Sequence, residues 1–283
     1  MDKLTAENQK LDQKTGRIRP KIGLALGGGA TKGTAHIGVI QVLEEFGIPI
    51  DMISGTSIGS FIAALYACGY DSKKMDLLFR EFDMEKLMKV RPSRMGMIPA
   101  DGYQELISVC TKNARIENAV IPLRIVAVDL VSWQKIIFTE GDMATAVRAS
   151  SAVPGAITPV KMGDMLLADG YLLDNVPCSV LREMGADIVI GVSLSKPSYS
   201  QPKTMIEVML RSLDIMSFTT QTIDADWILR PIDQEVGFLD MKMMEPCRKM
   251  GETTAREGID TLLDLISMKT EQLNSPAPKL HYK

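Results

Sequence analysis

The first seventy residues constrain the fold more than any other stretch. Ile22 to Leu26 is a short apolar run that ends in Gly27-Gly28-Gly29. Apolar residues then recur at helical spacing through His36, Ile37, Ile40, Val42, Leu43 and Phe46, and Gly47 supplies a stop signal. Met52-Ile53-Ser54 reads as a second strand. Ile58, Phe61, Ile62, Leu65 and Tyr66 follow as a second helix that closes at Gly69. The order is strand, glycine loop, helix, strand, tight turn, helix. Alternation of this kind predicts an α/β fold with a parallel sheet covered on both faces.

The rest of the chain extends the pattern. Helices are expected over 71–89, 101–112, 144–149 and 177–184, the last with Pro177 in its first turn. Strands are expected over 123–130 and 134–139, joined near Ser132-Trp133, and over 165–168 and 187–194, the last of these closing the core. Residues 91–99 read as a loop. After residue 200 the character changes to long amphipathic helices over 204–219 and 250–273. The domain organisation predicted is a flexible leader (1–20), a catalytic α/β domain (21–200), C-terminal helices packing on that same domain (201–274) and a disordered tail (275–283). The helices after residue 200 are also the candidate surface for a homodimer.

Composition narrows the function. A chain of 283 residues with 46% hydrophobic and 24% charged residues can bury a substantial core. A net charge of −3 gives no electrostatic case for binding nucleic acid. No apolar run reaches the roughly 18–20 residues that span a bilayer, and Met1 to Lys21 lacks the apolar centre of a signal peptide. The four cysteines, Cys68, Cys110, Cys178 and Cys247, show no CxxC spacing, which fits reduced thiols in the cytoplasm. Peripheral contact with the inner face of a membrane stays compatible with this. There is no HExxH, EF-hand loop or Cys/His cluster, so no metal site and no cofactor is expected.

The sharpest chemical feature is Gly55-Thr56-Ser57-Ile58-Gly59. A G-x-S-x-G between a strand and a helix is a nucleophile elbow, with the serine hydroxyl lifted clear of the sheet and the helix N-terminus turned towards developing negative charge. A hydroxyl needs a base. The chain has only two histidines: His281 lies in the polar tail, and His36 reads as a packed helix residue. A carboxylate that takes the Ser57 proton directly is the economical alternative. Ala100-Asp101-Gly102-Tyr103 and Ala168-Asp169-Gly170-Tyr171 are both candidates. Asp101 opens a helix and is explained as its N-cap. Asp169 follows an apolar strand, where carboxylates line ligand sites in α/β sheets, and is the preferred base. Asp129 also ends a strand but is assigned a structural role.

The loop Gly27 to Gly33 matches neither the P-loop nor the dinucleotide fingerprint, because Lys32 precedes Gly33 and Ala30 breaks the glycine register. Next to an elbow it reads as an oxyanion hole built from the N–H groups of Gly28, Gly29 and Ala30, with Lys32 orienting the loop or meeting an anionic head group. The chain carries 19 methionines, and the stretch 84–99, with Met84, Met88, Met95 and Met97, is the expected wall or lid of an acyl-chain groove.

Taken together, the Gly-rich loop with its basic residue, Ala35-His36-Ile37-Gly38-Val39, the elbow, Arg148-Ala149-Ser150-Ser151-Ala152-Val153-Pro154-Gly155 and Asp169-Gly170 resemble the patatin-like phospholipases. Specifically, they resemble the small bacterial members similar to the catalytic domain of neuropathy target esterase. The resemblance covers roughly Ile22 to Leu194. It implies a three-layer α/β/α fold with a mostly parallel central sheet, a Ser57–Asp169 dyad without histidine, and hydrolysis of phospholipid, lysophospholipid or simple esters through an acyl-enzyme. Gly28, Gly29, Ala30 and Lys32 fall on the family's oxyanion loop, and Gly33, Gly55, Gly59 and Gly170 complete its motifs. Three residues depart from the pattern: Ala30 replaces a glycine, Lys32 an arginine, and Tyr171 a small residue. Two other readings remain: an acyltransferase, although Ile58 stands where related transacylases place histidine, and a catalytically weak lipid-binding protein.

Overall fold

The computed structural model describes residues 10–11, 16–81, 91–99, 101–197, 200–220 and 223–275. In chain order the elements begin with β1 (Lys10–Leu11), β2 (Ile18–Arg19), β3 (Ile22–Leu26), α1 (Thr34–Glu45), β4 (Met52–Thr56), α2 (Ile58–Ala67) and α3 (Ser72–Glu81). Then come β5 (Gly96–Ile98), α4 (Asp101–Cys110), β6 (Leu123–Asp129), β7 (Gln134–Phe138), α5 (Met143–Ser150), β8 (Gly155–Ile157), β9 (Val160–Met162) and β10 (Met165–Asp169). The chain ends with α6 (Cys178–Glu183), β11 (Ile188–Val192), α7 (Met205–Thr220), β12 (Trp227–Leu229) and α8 (Met244–Asn274).

β3, β4 and β11 are buried at every position, which is why they read as continuous apolar runs instead of alternating ones. Their side chains still divide by period two. Leu24, Leu26, Ile53, Ile188, Ile190 and Val192 join the large core on one face, while Ala25, Met52 and Val189 meet Val176, Cys178 and Leu181 on the other. Helices on both faces of a mostly parallel sheet make a three-layer α/β/α fold. β12, β11, β3, β4 and β6 run parallel, and β7 and β10 are antiparallel to β6. Among the described residues no helix is long and apolar enough to cross a membrane.

The pairing around β6 positions the site. β7 occupies one edge of β6 from Ile125 to Asp129. The opposite edge is shared: β4 pairs with Leu123 to Val126, and β10, running the other way, pairs with Ala127 to Asp129. β4 and β10 therefore meet with their C-terminal ends facing each other. Thr56 is opposite Val126, and Asp169 is opposite the next residue, Ala127.

The structure departs from the sequence reading in three places. Ile188–Val192 does not close the sheet, because β12 adds a further parallel strand within the segment expected to be only helical. Inside the expected 91–99 loop, β5 pairs in parallel with β8, and Arg148 Nη2 donates to Pro99 O at 2.8 Å and Thr158 O at 2.6 Å. In the expected leader, β1 pairs with β2, and Arg19 makes a bidentate ion pair with Asp51 at 2.6 and 2.7 Å. Residues 1–9 and 12–15 of the leader and 276–283 of the tail lie outside the described residues, as does the 82–90 part of the helix expected over 71–89.

α8 packs along α1 through two glycines. A Cβ on Gly38 would stand 2.0 Å from Arg248 O, and one on Gly251 would stand 2.0 Å from Ala35 O. Backbone meets backbone here, so a side chain must push the helices apart. We expect Gly251→Ala to cost about 2 kcal/mol in urea unfolding, the usual size for overpacking that a helix pair can relieve by sliding.

Candidate active site

Ser57 stands between β4 and α2 with φ +56° and ψ −128°, a conformation an L-residue holds only when its surroundings force it. Packing supplies that force. A Cβ on Gly59 would lie 2.2 Å from Leu26 O, and one on Gly55 would lie 2.5 Å from Gly59 O, so both positions must be glycine for the elbow to close. The turn is also held by polar groups. Ser57 N–H donates to Ser150 Oγ at 2.9 Å, Ser150 Oγ donates to Val126 O at 2.6 Å, and Ser60 Oγ donates to Ser57 O at 2.6 Å.

Asp169 is 1% exposed and Ser57 8%. The Asp169 carboxylate accepts the Tyr171 N–H at 2.9 Å and lines the same cavity as Ser57. Burial raises its pKa to about 7, and its polar contacts with the Tyr171 N–H and the Ser57 side chain oppose that rise. Gly170 lets the chain leave β10 against β6, where a Cβ would lie 2.4 Å from Val126 O. The rival carboxylate, Asp101, is exposed at the start of α4 and does not line either cavity that Ser57 lines.

The glycine loop is more specialised than expected. Gly28 N–H donates to Asn175 Oδ1 at 2.7 Å, so of the three expected donors it is already paired with a side chain. Among the described residues the N–H groups of Gly29 and Ala30 have no such partner, and both residues line the cavity in front of Ser57. Ala30 sits at φ +50° in the left-handed region, which explains why glycine suits this place. We expect Ala30→Gly to stabilise the fold by about 1 kcal/mol in thermal unfolding. Gly33 carries the loop against the elbow; a Cβ there would stand 2.2 Å from Ile58 Cγ1. Lys32 lines the cavity in front of Ser57. Burial lowers its pKa, and the Asp214 carboxylate opposes that change.

His36 is fully buried, and its Nε2 donates to Gly27 O at 2.7 Å. Burial depresses its pKa to about 4, so the ring is neutral and braces the loop. Asp129 accepts from Ser132 Oγ at 2.6 Å and from the N–H groups of Leu166, Val131 and Ser132, in keeping with a structural role. The Ser132 hydroxyl leads the set of hydrogen bonds that lower its pKa to about 2. Among the described residues no cluster of His, Cys, Asp or Glu could hold a metal ion, and the four cysteines are free thiols.

Sequence reasoning missed Asn175, Ser150 and Asp214. Asn175 also donates to Ser195 Oγ at 3.1 Å, linking the glycine loop to the end of β11. Its only local sign is its place six residues after Asp169, just before Val176-Pro177. Tyr171 OH donates to Asp214 Oδ1 at 2.6 Å, fastening α7 across the site; burial, first, and the Asp214 charge raise the Tyr171 pKa.

The family description "Patatin-like phospholipase" matches residues 24–182. An uncharacterized NTE family protein of Mycobacterium tuberculosis is 34% identical over 182 residues, which cover 64% of this chain and 51% of that protein. Patatin-like phospholipase domain-containing protein 6 of Mus musculus is 32% identical over 182 residues, 61% of this chain and 13% of the mouse protein. The chain thus spans about half the length of the mycobacterial relatives. VipD from Legionella pneumophila shares the fold, with a TM-score of 0.61 and 14% identity over 89% of this chain and 70% of that one. With its motifs matched over more than half its length, this chain belongs to the patatin-like phospholipase family.

Proposed function

We propose that this chain is a serine carboxylic-ester hydrolase acting on lipid or lysolipid esters through a Ser57–Asp169 dyad. The observation that carries the reading is a buried Asp169 carboxylate lining one cavity with a serine held at positive φ. The Asp169 oxygen takes the hydroxyl proton as Ser57 Oγ bonds to the ester carbonyl carbon. The carbonyl oxygen becomes an oxyanion, received by the N–H groups of Gly29 and Ala30 and by the N-terminus of α2. The tetrahedral intermediate collapses, the ester C–O bond breaks, and protonated Asp169 returns its proton to the leaving alcohol. Water then attacks the acyl-enzyme with Asp169 again as base, and the fatty acid departs. A base whose pKa lies near 7 combines ionisation at neutral pH with useful basicity.

Rapid mixing with p-nitrophenyl esters tests this. We expect a burst of one p-nitrophenolate per active site, and an acyl adduct located by mass spectrometry on the peptide containing Ser57. An adduct on any other residue would overturn the assignment. Release of free fatty acid to water, not transfer to an added alcohol, separates hydrolysis from acyl transfer.

A further inference from the structure

Two cavities meet at Ser57. The larger, about 830 Å³, mixes apolar side chains such as Ile206, Leu210 and Leu213 with charged ones of both signs, among them Lys32, Arg211 and Glu207. The smaller, about 70 Å³, is almost wholly apolar and is walled by Phe79, Tyr103, Ile157, Met241 and Met244. Ala30, Ser57, Val153, Phe238 and Leu239 line both. The rings of Phe79 and Tyr103 each pack on Phe61 at 5.7 Å between centroids, which fixes that wall of the smaller cleft.

From this geometry we infer that the narrow apolar cleft takes the acyl chain and the wide charged cavity takes the alcohol half of the ester. The inference rests on the acyl hydrolysis proposed above. Three observations support it. An ester carbonyl placed on Ser57 with its oxygen towards Ala30 sends its two substituents in different directions, and each cavity opens at those same two residues. A methylene chain gains free energy by leaving water for the almost wholly apolar cleft, whereas the larger cavity offers charged partners, Lys32, Lys196 and Arg211, that a polar alcohol can use. Finally, Asp169 lines the larger cavity and not the smaller. The group that returns a proton to the leaving oxygen must face the alcohol, so the alcohol lies in the larger cavity. The substrate class that results is an ester of an unbranched fatty acid with a bulky, polar alcohol. Of the expected methionine wall at 84–99, Met95 and Met97 line neither cavity, and Met84 and Met88 lie outside the described residues; the methionines lining the smaller cleft are Met241 and Met244.

The test is a series of p-nitrophenyl esters from acetate to decanoate, measured on wild type, Met244→Trp and Met241→Trp in the cleft, and Leu210→Trp in the larger cavity. In wild type, kcat/KM should rise about fourfold per added methylene until the cleft is full, then level off. Either cleft variant should lower the octanoate-to-acetate ratio of kcat/KM at least tenfold. Leu210→Trp should hold that ratio within twofold while lowering turnover of lysophospholipid relative to p-nitrophenyl octanoate. A ratio that collapses in Leu210→Trp and persists in both cleft variants reverses the two arms and overturns the inference, as does a ratio unmoved in all three. Wild type with no Ser57-dependent turnover of even the acetate would instead overturn the hydrolase reading itself.

Discussion

Asp169→Asn is expected to lower kcat by about 10³- to 10⁴-fold, because an amide can hold Ser57 in place but cannot accept its proton. The same residue sets the pH dependence. Wild-type kcat/KM should rise through an apparent pKa of about 7 and stay level above it, since the ionised carboxylate is the active form. Stability should move the opposite way. The folded-state pKa is raised from 3.8, so between about pH 4 and 7 the folded chain keeps a proton that the unfolded chain has released. Stability therefore falls as pH climbs through this window, and above it the full penalty for a buried charge applies, roughly 4 kcal/mol at most. Asn carries no charge. Asp169→Asn should be more stable than wild type by up to that amount in urea unfolding at pH 8, and the gain should disappear near pH 4. An inactive but stabilised variant is the signature of a strained functional group. A kcat/KM profile that is flat from pH 5.5 to 8.5 would contradict the role given to Asp169.

Gly59→Ala should cost more than about 4 kcal/mol and abolish activity with it, an effect in the exceptional range for a single methyl group. The added carbon would meet Leu26 O at 2.2 Å. Unlike the α1–α8 contact, this one cannot be relieved by sliding a helix. Leu26 is the last residue of a strand paired on both edges, and Gly59 belongs to the turn that sets the Ser57 φ. Loss of the near-ultraviolet circular dichroism of the aromatic core, followed across a urea titration, measures it. Wild-type stability in Gly59→Ala would mean that the elbow is looser than its geometry requires.

The sequence carried the first half of this architecture because the information there is local. Periodicity from Ile22 to Tyr66 marks β3, α1, β4 and α2, and glycines at 55 and 59 stand where backbones nearly touch, with Gly33 against the Ile58 side chain. Ser57 was legible for the same reason. Asp169 was legible as a carboxylate at a strand end. What brings it to Ser57 was not: β10 shares an edge of β6 with β4 and runs against it, and that pairing depends on contacts 38 to 42 and 70 residues apart in sequence. Gly28 shows the same limit of local sequence. Three consecutive glycines look equivalent in sequence, but Asn175, 147 residues away, takes the first N–H of the expected set. β5 and β12 are three residues each, too short for alternation to register.

The central claim is that Ser57 is the nucleophile and that Asp169 activates it. A fluorophosphonate reagent, followed by proteolysis and mass spectrometry, tests it most directly. We predict a single phosphonylated residue, Ser57, in the wild type, its rate of labelling rising with pH through about 7 and greatly slowed in Asp169→Asn. Labelling of Ser57 at an unchanged rate in Asp169→Asn, or of another serine in its place, would contradict the account.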